Sequence, residues 1–467
     1  MTFASLRSKK VAIVGLGLEG LTTAEYFLSH DIACSVFDEK SFEELCGISP
    51  EWERVLGKLK KQQVPLYLGS PIDGKLVHTF DVVVRSPGIS LAADFFADFQ
   101  GEITSHTKLF FDNCPSQIIG VTGTKGKGTT SSLIYEMLKK GGFDAYLGGN
   151  IGLAPLSFLD TLNTQSIVVL ELSSFQLQDM SKSPHIAVML MVTQEHLDRF
   201  GNQNYHASIE EYREAKRNIL AWQTADDMAV LNTDYEGTRE SAGKTPAKVA
   251  WVSRYSEVER GCFVRDNEVI LKINNQERKI IDTADILLPG GHNLENVCAA
   301  AMAAYFAGVG IADIAFVLTT FKGLEHRLEL VREVDGVRYY DDSFSTVPET
   351  AIAAILAFTA PEILILGGSK KGSNFQELGK LISEAKNIKA IIGIGIEWER
   401  IKSQITNQNS RIKIIEGLTD MKRIVATCRK LSKPGDVVLL SPACASFDMF
   451  ANYKDRGNQF KQQVNLL

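Results

Sequence analysis

Short apolar runs alternate with longer amphipathic stretches along most of the chain. Runs such as "VAIVG", "SIVVLEL" and "DVVLLSPA" are continuous rather than alternating, which is typical of strands buried on both faces of a parallel sheet. The stretches between them carry apolar residues at helical spacing. The pattern therefore predicts an α/β fold with mostly parallel sheets.

The predicted strands fall into three blocks. The first contains "VAIVG", "CSVFD" and "DVVVRSPGI"; the second opens at "QIIGVTGTKGKGTT"; the third runs from "EHRLELV" to "DVVLLSPA". Within the second block, "GCFVRDNEVILKI" predicts a hairpin that turns at Asp266 and Asn267. We expect three domains, over residues 1–112, 113–324 and 325–467.

Composition narrows the class of protein. The 467 residues carry a formal net charge of -6, which gives no electrostatic reason to expect a nucleic-acid or anionic-membrane partner. The seven cysteines form no CxxC pair, so we expect free thiols in a reducing compartment. The N-terminus has no apolar signal core, and no apolar run is long enough to cross a bilayer. These features predict a cytoplasmic protein.

The first strand-to-helix turn carries Gly15-x-Gly17-x-x-Gly20, and Asp38 closes the next apolar run. This spacing is typical of a turn that presents backbone N–H groups to a pyrophosphate, with an acid placed for a ribose hydroxyl. An NAD-dependent oxidoreductase is therefore one hypothesis. The motif alone is weak evidence, because it indicates a pyrophosphate rather than a nicotinamide.

A second glycine-rich turn, in "IIGVTGTKGKGTTSSL", gives the strongest signal. Its glycines let backbone N–H groups converge on phosphate oxygens, and Lys127 adds a full positive charge at a helix N-terminus. The match to a Walker A loop is imperfect, since Val121 replaces its first glycine and Gly128 replaces the usual magnesium-binding hydroxyl. Thr129 or Thr130 must then supply that hydroxyl, or other groups must bind the metal. The order of strand, loop, lysine and helix predicts a phosphate site.

Acidic residues follow two later strands of the same block. Glu171 ends "SIVVLEL", while Glu195, His196 and Asp198 follow "IAVMLMV". Acids at strand ends near a phosphate loop can bind Mg²⁺ directly or through water. By composition, Lys216 in the amphipathic "EYREAKRNIL" is a solvated surface charge.

Two further segments carry groups suited to a nucleotide. His292, Asn293 and Asn296 open an Ala-rich helix, where they either cap the helix or contact a purine or phosphate. Arg327, in "EHRLELV", has a guanidinium that can clamp a phosphate from outside the phosphate-loop domain.

The motifs "GVTGTKGKGTT", "GGNIG", "ELSSFQL", "EHLDRF", "GHNLEN", "EHRLE", "DDSFST", "LGGSKKG" and "LSPACASFDMF" occur in the order found in the Mur ligases, and the chain resembles this family over essentially its full length. The resemblance implies a Rossmann-like nucleotide-sugar domain, a central P-loop ATPase and a Rossmann-like C-terminal domain that brings the amino acid. It is strongest to members that add D-glutamate to UDP-N-acetylmuramoyl-L-alanine, using ATP and two Mg²⁺ ions through an acyl phosphate. We expect a monomer.

The resemblance also implies roles for individual residues. The catalytic residues would be Lys127, Glu171, His196 and Lys216. The magnesium ligands would be Thr129, Glu171, His196 and, once carbamylated, Lys216. The ATP site would contain Gly123, Thr124, Lys125, Gly126, Lys127, Gly128, Thr129, Thr130, Asn293, Asn296, Arg327 and Asp342. The UDP-substrate site would contain Gly15, Leu18, Glu19, Asp38, Ser86, Pro87, Gly88, Asn150 and His196. The incoming amino acid would meet Thr346, Lys371, Ser446 and Tyr453.

Three positions depart from the family pattern and leave alternatives open. Phe344 stands where glutamate-adding members usually have lysine, and Tyr453 stands where phenylalanine is common. An L-glutamate-adding variant is therefore the nearest alternative. Gly128 is shared with the folylpolyglutamate synthases, but these lack the N-terminal nucleotide-sugar domain. A P-loop ATPase that makes no amide bond would leave Lys371 and Ser446 without a substrate.

Overall fold

The computed structural model describes residues 1–193, 204–370, 372–406 and 412–467. Within these residues the strands form three sheets, and most of the strand pairs are parallel. The mostly parallel α/β class predicted from the apolar runs is confirmed. All seven cysteines carry free thiols, also as predicted.

The first sheet has five parallel strands in the order β3-β2-β1-β4-β5, and its central strand β1 is buried along its whole length. This is the Rossmann strand order 3-2-1-4-5-6 without its last strand. The strands are Val11–Val14 (β1), Cys34–Asp38 (β2), Leu66–Leu68 (β3), Val82–Arg85 (β4) and Glu102–Ser105 (β5). The helices are Phe3–Leu6 (α1), Leu18–Ser29 (α2), Phe42–Cys46 (α3), Pro50–Lys61 (α4), Gly74–Val77 (α5) and His106–Asn113 (α6).

The second sheet has nine strands in the order β14-β13-β12-β11-β10-β9-β6-β8-β7. Its strands are Gln117–Thr122 (β6), Ala145–Gly149 (β7), Ile167–Glu171 (β8), Ile186–Met189 (β9), Met228–Asn232 (β10), Lys248–Ser253 (β11), Gly261–Arg265 (β12), Glu268–Ile273 (β13) and Gln276–Asp282 (β14). The helices are Lys127–Lys140 (α7), Ser174–Leu177 (α8), Ile209–Ala221 (α9), Glu236–Arg239 (α10), His292–Phe306 (α11) and Ile311–Thr320 (α12). Strands β12 and β13 form the predicted hairpin, and Asp266 and Asn267 both have positive φ at its turn.

The third sheet has six strands in the order β15-β16-β20-β17-β18-β19. Its strands are Glu329–Val334 (β15), Val337–Asp341 (β16), Glu362–Gly367 (β17), Ile388–Ile394 (β18), Lys413–Ile415 (β19) and Val437–Leu440 (β20). The helices are Pro348–Ile355 (α13), Gln376–Glu384 (α14), Trp398–Lys402 (α15), Met421–Leu431 (α16) and Tyr453–Asn465 (α17). Strand β15 runs antiparallel to β16, and the pairs among β16, β20, β17, β18 and β19 are parallel.

The described residues form two compact units, one of residues 1–281 and 295–317 and the other of residues 282–294 and 318–467. In the first unit, one of the apolar clusters includes both Val11 of the first sheet and Leu170 of the second. In the second unit, alternate residues of β17 face two clusters on opposite sides of the sheet. The domain limits at 112/113 and 324/325 stay predictions. None of the described helices is both long and apolar enough to cross a bilayer.

Candidate active site

The phosphate loop joins β6 to α7 and depends on glycine at two of its positions. Gly126, just before α7, has φ +86°, and a Cβ there would lie 2.2 Å from Asn296 Oδ1. Gly123 has φ +154°, and a Cβ there would lie 2.8 Å from the Leu190 Cβ. Neither position has room for a side chain, so only glycine fits there. The loop lies at the N-terminus of α7, where the helix dipole favours an anion.

Two lysine side chains converge on this loop. Lys127 Nζ donates to the carbonyl oxygens of Gly123 and Thr124, each at 3.0 Å. Lys216 Nζ, from α9, donates to the same Gly123 oxygen at 2.9 Å and lies 4.6 Å from the Tyr212 ring centroid. Lys216 is only 2% exposed, so the interpretation of it as a solvated surface charge was wrong. The two lysines concentrate positive charge beside the loop, where it can attract a phosphate.

Neighbouring strands bring further polar groups to the same edge of the sheet. Strand β8 lies between β6 and β7, so Glu171 at its end is next to the phosphate loop. Asn150 follows β7, is exposed, and its N–H donates to the Glu171 carbonyl at 3.1 Å. The predicted residues Glu195, His196 and Asp198 lie outside the described residues. Where the structure describes the chain, Glu171 is the acid at this edge with the chemistry that Mg²⁺ prefers.

The structure distinguishes the two threonines that could replace the usual magnesium-binding hydroxyl. Thr130 is buried, and its Oγ1 donates to Asn296 Oδ1 at 3.3 Å. Thr129 is only partly buried at the start of α7, and Gly128 beside it is buried. Thr129 is therefore the more accessible hydroxyl. Lys125, in the loop itself, is exposed.

The glycine-rich turn of the first sheet is held by Asp38. Its Oδ2 accepts from Leu16 N at 2.6 Å and its Oδ1 accepts from Lys40 N at 2.9 Å. Gly15 has φ +89°, and a Cβ on Gly20 would lie 2.0 Å from the Gly15 oxygen. The turn thus brings the chain tightly around the start of α2, and Leu18 is exposed beside it. In this geometry Asp38 shapes the turn, and its predicted contact to a nucleotide stays a prediction.

Glu19 faces the second sheet rather than open solvent. Its carboxylate accepts a hydrogen bond from Gln176 Nε2, and Gln176 Oε1 in turn accepts from Ser173 N at 2.8 Å. Desolvation raises the pKa of Glu19 to about 7, and this outweighs the lowering by the Gln176 hydrogen bond and the Arg85 charge.

A turn at residues 86–89, which we call the 86–89 turn, lies against the glycine-rich turn. Ser86 Oγ donates to the Gly15 carbonyl at 2.9 Å, and Ile89 N donates to Ser86 O at 3.0 Å. Asn204 holds the outer part of the turn, since its Nδ2 donates to Pro87 O and its N–H donates to Gly88 O, both at 2.9 Å. A hydrogen bond therefore links the glycine-rich turn to the 86–89 turn, and both turns contain predicted UDP-substrate residues.

In the second compact unit, Asp342 ends up buried after β16. It accepts from Ser441 Oγ at 2.7 Å and from Leu328 N at 3.2 Å, and desolvation raises its pKa to about 7. Asn293 of the same unit donates from Nδ2 to Pro289 O at 2.7 Å, a local contact at the start of α11. The Arg327 guanidinium lies 3.9 Å above the Phe344 ring centroid, which is cation–π geometry.

Of the predicted amino-acid residues of this unit, Tyr453 contacts Phe344. Phe344 packs edge-on to Tyr453, with ring centroids 5.0 Å apart. Thr346 is partly buried two residues after Phe344, and Ser446 is almost fully buried. Lys371 lies outside the described residues. The lysine-to-phenylalanine departure thus creates an aromatic pair beside Arg327.

Sequence reasoning missed several residues that support these sites. The Arg85 side chain is fully buried beneath the 86–89 turn, and a lone arginine that closes the apolar run "VVVR" was the available signal. His326 Nδ1 lies 2.7 Å from Asp341 Oδ2 in a buried pair just before Arg327. These two residues, with Glu329, are close enough to suggest a metal site, but Lys461 Nζ already lies 3.3 Å from Glu329 Oε2. Nothing in the spacing of "EHRLE" indicated the pairing with Asp341.

The fold and the site together define the class of protein, which is a P-loop enzyme with three sheets. The second sheet along the chain carries the phosphate loop and has the most strands. Three family descriptions match in the corresponding order. The Mur ligase MurD-like N-terminal domain matches residues 9–102, the Mur ligase middle domain residues 121–304, and the Mur ligase glutamate ligase domain residues 326–444. The chain belongs to the Mur ligase family, and it is an ATP-dependent, amide-bond-forming ligase.

Individual relatives cover nearly the whole chain. It is 38% identical to the UDP-N-acetylmuramoylalanine--D-glutamate ligase of Acetivibrio thermocellus, over 98% of this chain and 97% of the relative. It is also 38% identical to the ligase of the same name from Clostridioides difficile strain 630, over 99% of each chain. Among solved structures, the MurF ligase of Thermotoga maritima in complex with ADP matches with a TM-score of 0.54 at 20% identity, over 83% of this chain and 89% of that one. That last similarity is one of fold.

Proposed function

We propose that this chain joins D-glutamate to UDP-N-acetylmuramoyl-L-alanine at the expense of ATP. The observation that carries the proposal is the 38% identity, over nearly the full length of both chains, to relatives named for that reaction. The N-terminal match to the MurD-like domain supports the nucleotide-sugar substrate. An oxidoreductase would leave the phosphate loop and Glu171 without a function, and a folate ligase would leave the first sheet without one.

The proposed reaction has two steps. The carboxylate of the UDP substrate attacks the γ-phosphorus of ATP, so that ADP leaves and an acyl phosphate forms. The amino group of glutamate, having lost a proton, then attacks the acyl carbon, and the tetrahedral intermediate expels inorganic phosphate. Anions must meet in the first step, so cationic groups such as Lys127 contribute by neutralising charge and holding the partners in line.

The residues present fit magnesium. Glu171 offers a carboxylate at the edge of the sheet and Thr129 offers an accessible hydroxyl, and these oxygen donors suit Mg²⁺. His196 is proposed for the second site on the resemblance. Mg²⁺, when bound, neutralises charge between the phosphates and the attacking carboxylate. The backbone of residues 123–130 would hold the phosphates, with Asn293, Asn296, Arg327 and Asp342 completing the ATP site.

We propose that Lys216 works as a carbamate. The ammonium first loses a proton, and the free amine then adds CO₂ and releases a second proton, so that a cation becomes an anionic carbamate. The burial of Lys216 and its position beside Lys127 on the Gly123 oxygen support this change, because an anionic carbamate there would be attracted by the Lys127 ammonium. The carbamate oxygens would also provide a magnesium ligand, which an ammonium cannot.

The remaining assignments concern the two substrates. We propose that the uridine diphosphate lies at the N-terminus of α2 and at the 86–89 turn, and that Asn150 contacts the sugar-linked part. Thr346, Lys371, Ser446 and Tyr453 would hold glutamate. Because Phe344 removes a cation that glutamate-adding relatives usually have, L-glutamate is the alternative substrate to test. We place the reaction in the cytoplasm, where ATP and uridine nucleotides are available, and expect a monomer.

Ligation assays with each glutamate isomer test this proposal. Purified protein is incubated with UDP-N-acetylmuramoyl-L-alanine, ATP and Mg²⁺, and D- or L-glutamate is added separately while phosphate release and product mass are followed. We expect product with D-glutamate. Product with the L-isomer alone would select the alternative, and no product with either would refute the ligase proposal. Lys127→Met should abolish turnover, while the matched control Lys139→Met, exposed in the last turn of the same helix, should not.

A further inference from the structure

Arg85 is the last residue of β4 and its only charged one, and its side chain is 0% exposed. The strand "VVVR" is buried throughout, so the guanidinium leaves the sheet edge within the protein interior. Placing a guanidinium there is costly unless its donors are used. The partners of those donors therefore indicate what the residue does.

One side of the guanidinium holds the 86–89 turn. Arg85 Nη1 lies 2.6 Å from Ile89 O, 3.3 Å from Pro87 O and 3.4 Å from Ser86 O. Three of the four carbonyls of the turn thus converge on a single nitrogen. The fourth, that of Gly88, accepts from Asn204 N at 2.9 Å. Contacts from Arg85 and Asn204 therefore hold the turn from outside, in addition to its own hydrogen bond from Ile89 N to Ser86 O.

The other side of the guanidinium reaches the second sheet. Arg85 Nη2 donates to Phe175 O at 3.4 Å and to Asp179 Oδ1 at 3.3 Å. Phe175 lies in α8, which begins three residues after Glu171. Asp179 Oδ2 is also 3.7 Å from Lys108 Nζ. Arg85 is therefore a bridge between the 86–89 turn and the segment that follows the proposed magnesium ligand.

The 86–89 turn in turn supports the glycine-rich turn of the first sheet. Ser86 Oγ donates to Gly15 O, and a Cβ on Gly15 would lie 2.9 Å from the Ser86 Cβ. A shift of the 86–89 turn would therefore move Gly15. A lysine at position 85 offers one ammonium in place of the planar fork, and could not serve both sides at once.

We propose that Arg85 is a positioning residue for the nucleotide-sugar substrate: it fixes the 86–89 turn, and through it the turn at Gly15, at a set distance from the end of β8. The inference rests on the proposed function for the identity of that substrate. Arg85 touches neither the phosphate loop nor Lys216 in these contacts, so its removal should weaken binding of the nucleotide sugar and leave ATP binding unchanged.

The test compares Arg85→Met and Arg85→Lys with the wild type. Loss of hydrogen bonds from a charged donor should raise KM for the UDP substrate about tenfold or more in Arg85→Met and less in Arg85→Lys. KM for ATP should stay within about twofold. Lys108→Met is the matched control, because Lys108 pairs with the same Asp179 without touching the turn, and its KM values should stay at the wild-type level. Calorimetry with UDP-N-acetylmuramoyl-L-alanine alone should show the same ranking of Kd.

Each outcome decides the proposal. An unchanged KM and Kd for the UDP substrate in Arg85→Met would overturn it, and so would a parallel rise of both KM values with a fall in Tm, which marks general loosening. If Arg85→Met does not fold, Arg85→Lys decides by the same criteria. A wild type that binds the UDP substrate but makes no product would refute the proposed function, while the Kd ranking would still test the role of Arg85.

Discussion

At the scale of single residues, the two lysines on the Gly123 carbonyl are the most informative contact. Lys127 reaches it from the start of α7 and Lys216 from α9, and Lys216 is almost fully buried. Conversion of the Lys216 amine to an anion would explain why a second lysine lies at this carbonyl.

Lys216→Ala should lower kcat by about a hundredfold or more, because it removes charge that acts on the reacting phosphate. If the lysine acts as a carbamate, short-chain carboxylates such as formate or acetate should restore part of the activity by occupying the vacated space. The measurement is phosphate release at increasing carboxylate concentration, with Lys139→Ala as the control. Full activity in Lys216→Ala without any additive would contradict the role.

At the scale of elements, the continuous apolar runs were sufficient to predict buried strands such as β1, β8 and β20, because a strand covered on both faces has few polar positions. They did not predict more exposed strands such as β14 and β19. The Asp266-Asn267 turn could be predicted, since few residues accept positive φ there. The burial of Lys216 could not be predicted, because the sequence of an amphipathic helix does not show which of its lysines packs against the rest of the protein. Arg85 was missed for the opposite reason: its partners are backbone carbonyls, which leave no pattern in the sequence.

Strand β17 contains a buried carboxyl group whose effect on the stability of the protein can be tested. Its first residue, Glu362, is 0% exposed; its Oε1 accepts from Asn387 Nδ2 at 2.6 Å and its Oε2 has no partner among the described residues. Desolvation raises the pKa of Glu362 from 4.5 to about 8. Between about pH 4.5 and about pH 8, the Glu362 carboxyl is therefore protonated in the folded state and ionised in the unfolded state. Its contribution to the free energy of unfolding falls as the pH rises through this range.

Glu362→Gln keeps the acceptor for Asn387 and removes the ionisation. Its unfolding free energy relative to the wild type should rise by about 4 kcal/mol between pH 5 and pH 9, as measured by denaturant titration. Glu384→Gln, at the exposed end of α14, is the control and should show no such trend. A difference that is flat with pH would mean that Glu362 ionises normally in the folded protein.

At the scale of the whole molecule, the proposed reaction needs all three sheets. The first would hold the nucleotide sugar, the second the phosphates and metal, and the third the amino acid. Motif order allowed this division to be predicted, because each sheet carries its own signature at its carboxyl edge. The geometry that joins the first two, Arg85 and Asn204 on the 86–89 turn, depends on tertiary contacts between residues about 90 to 120 positions apart.

The central claim is that the substrate carboxylate is phosphorylated before the amide forms. The most direct measurement uses UDP-N-acetylmuramoyl-L-alanine with both carboxylate oxygens replaced by ¹⁸O, together with ATP, Mg²⁺ and D-glutamate. One ¹⁸O should appear in the released inorganic phosphate and the other should remain in the new amide carbonyl, both read by mass spectrometry. Amide product whose accompanying phosphate contains no ¹⁸O would contradict the account.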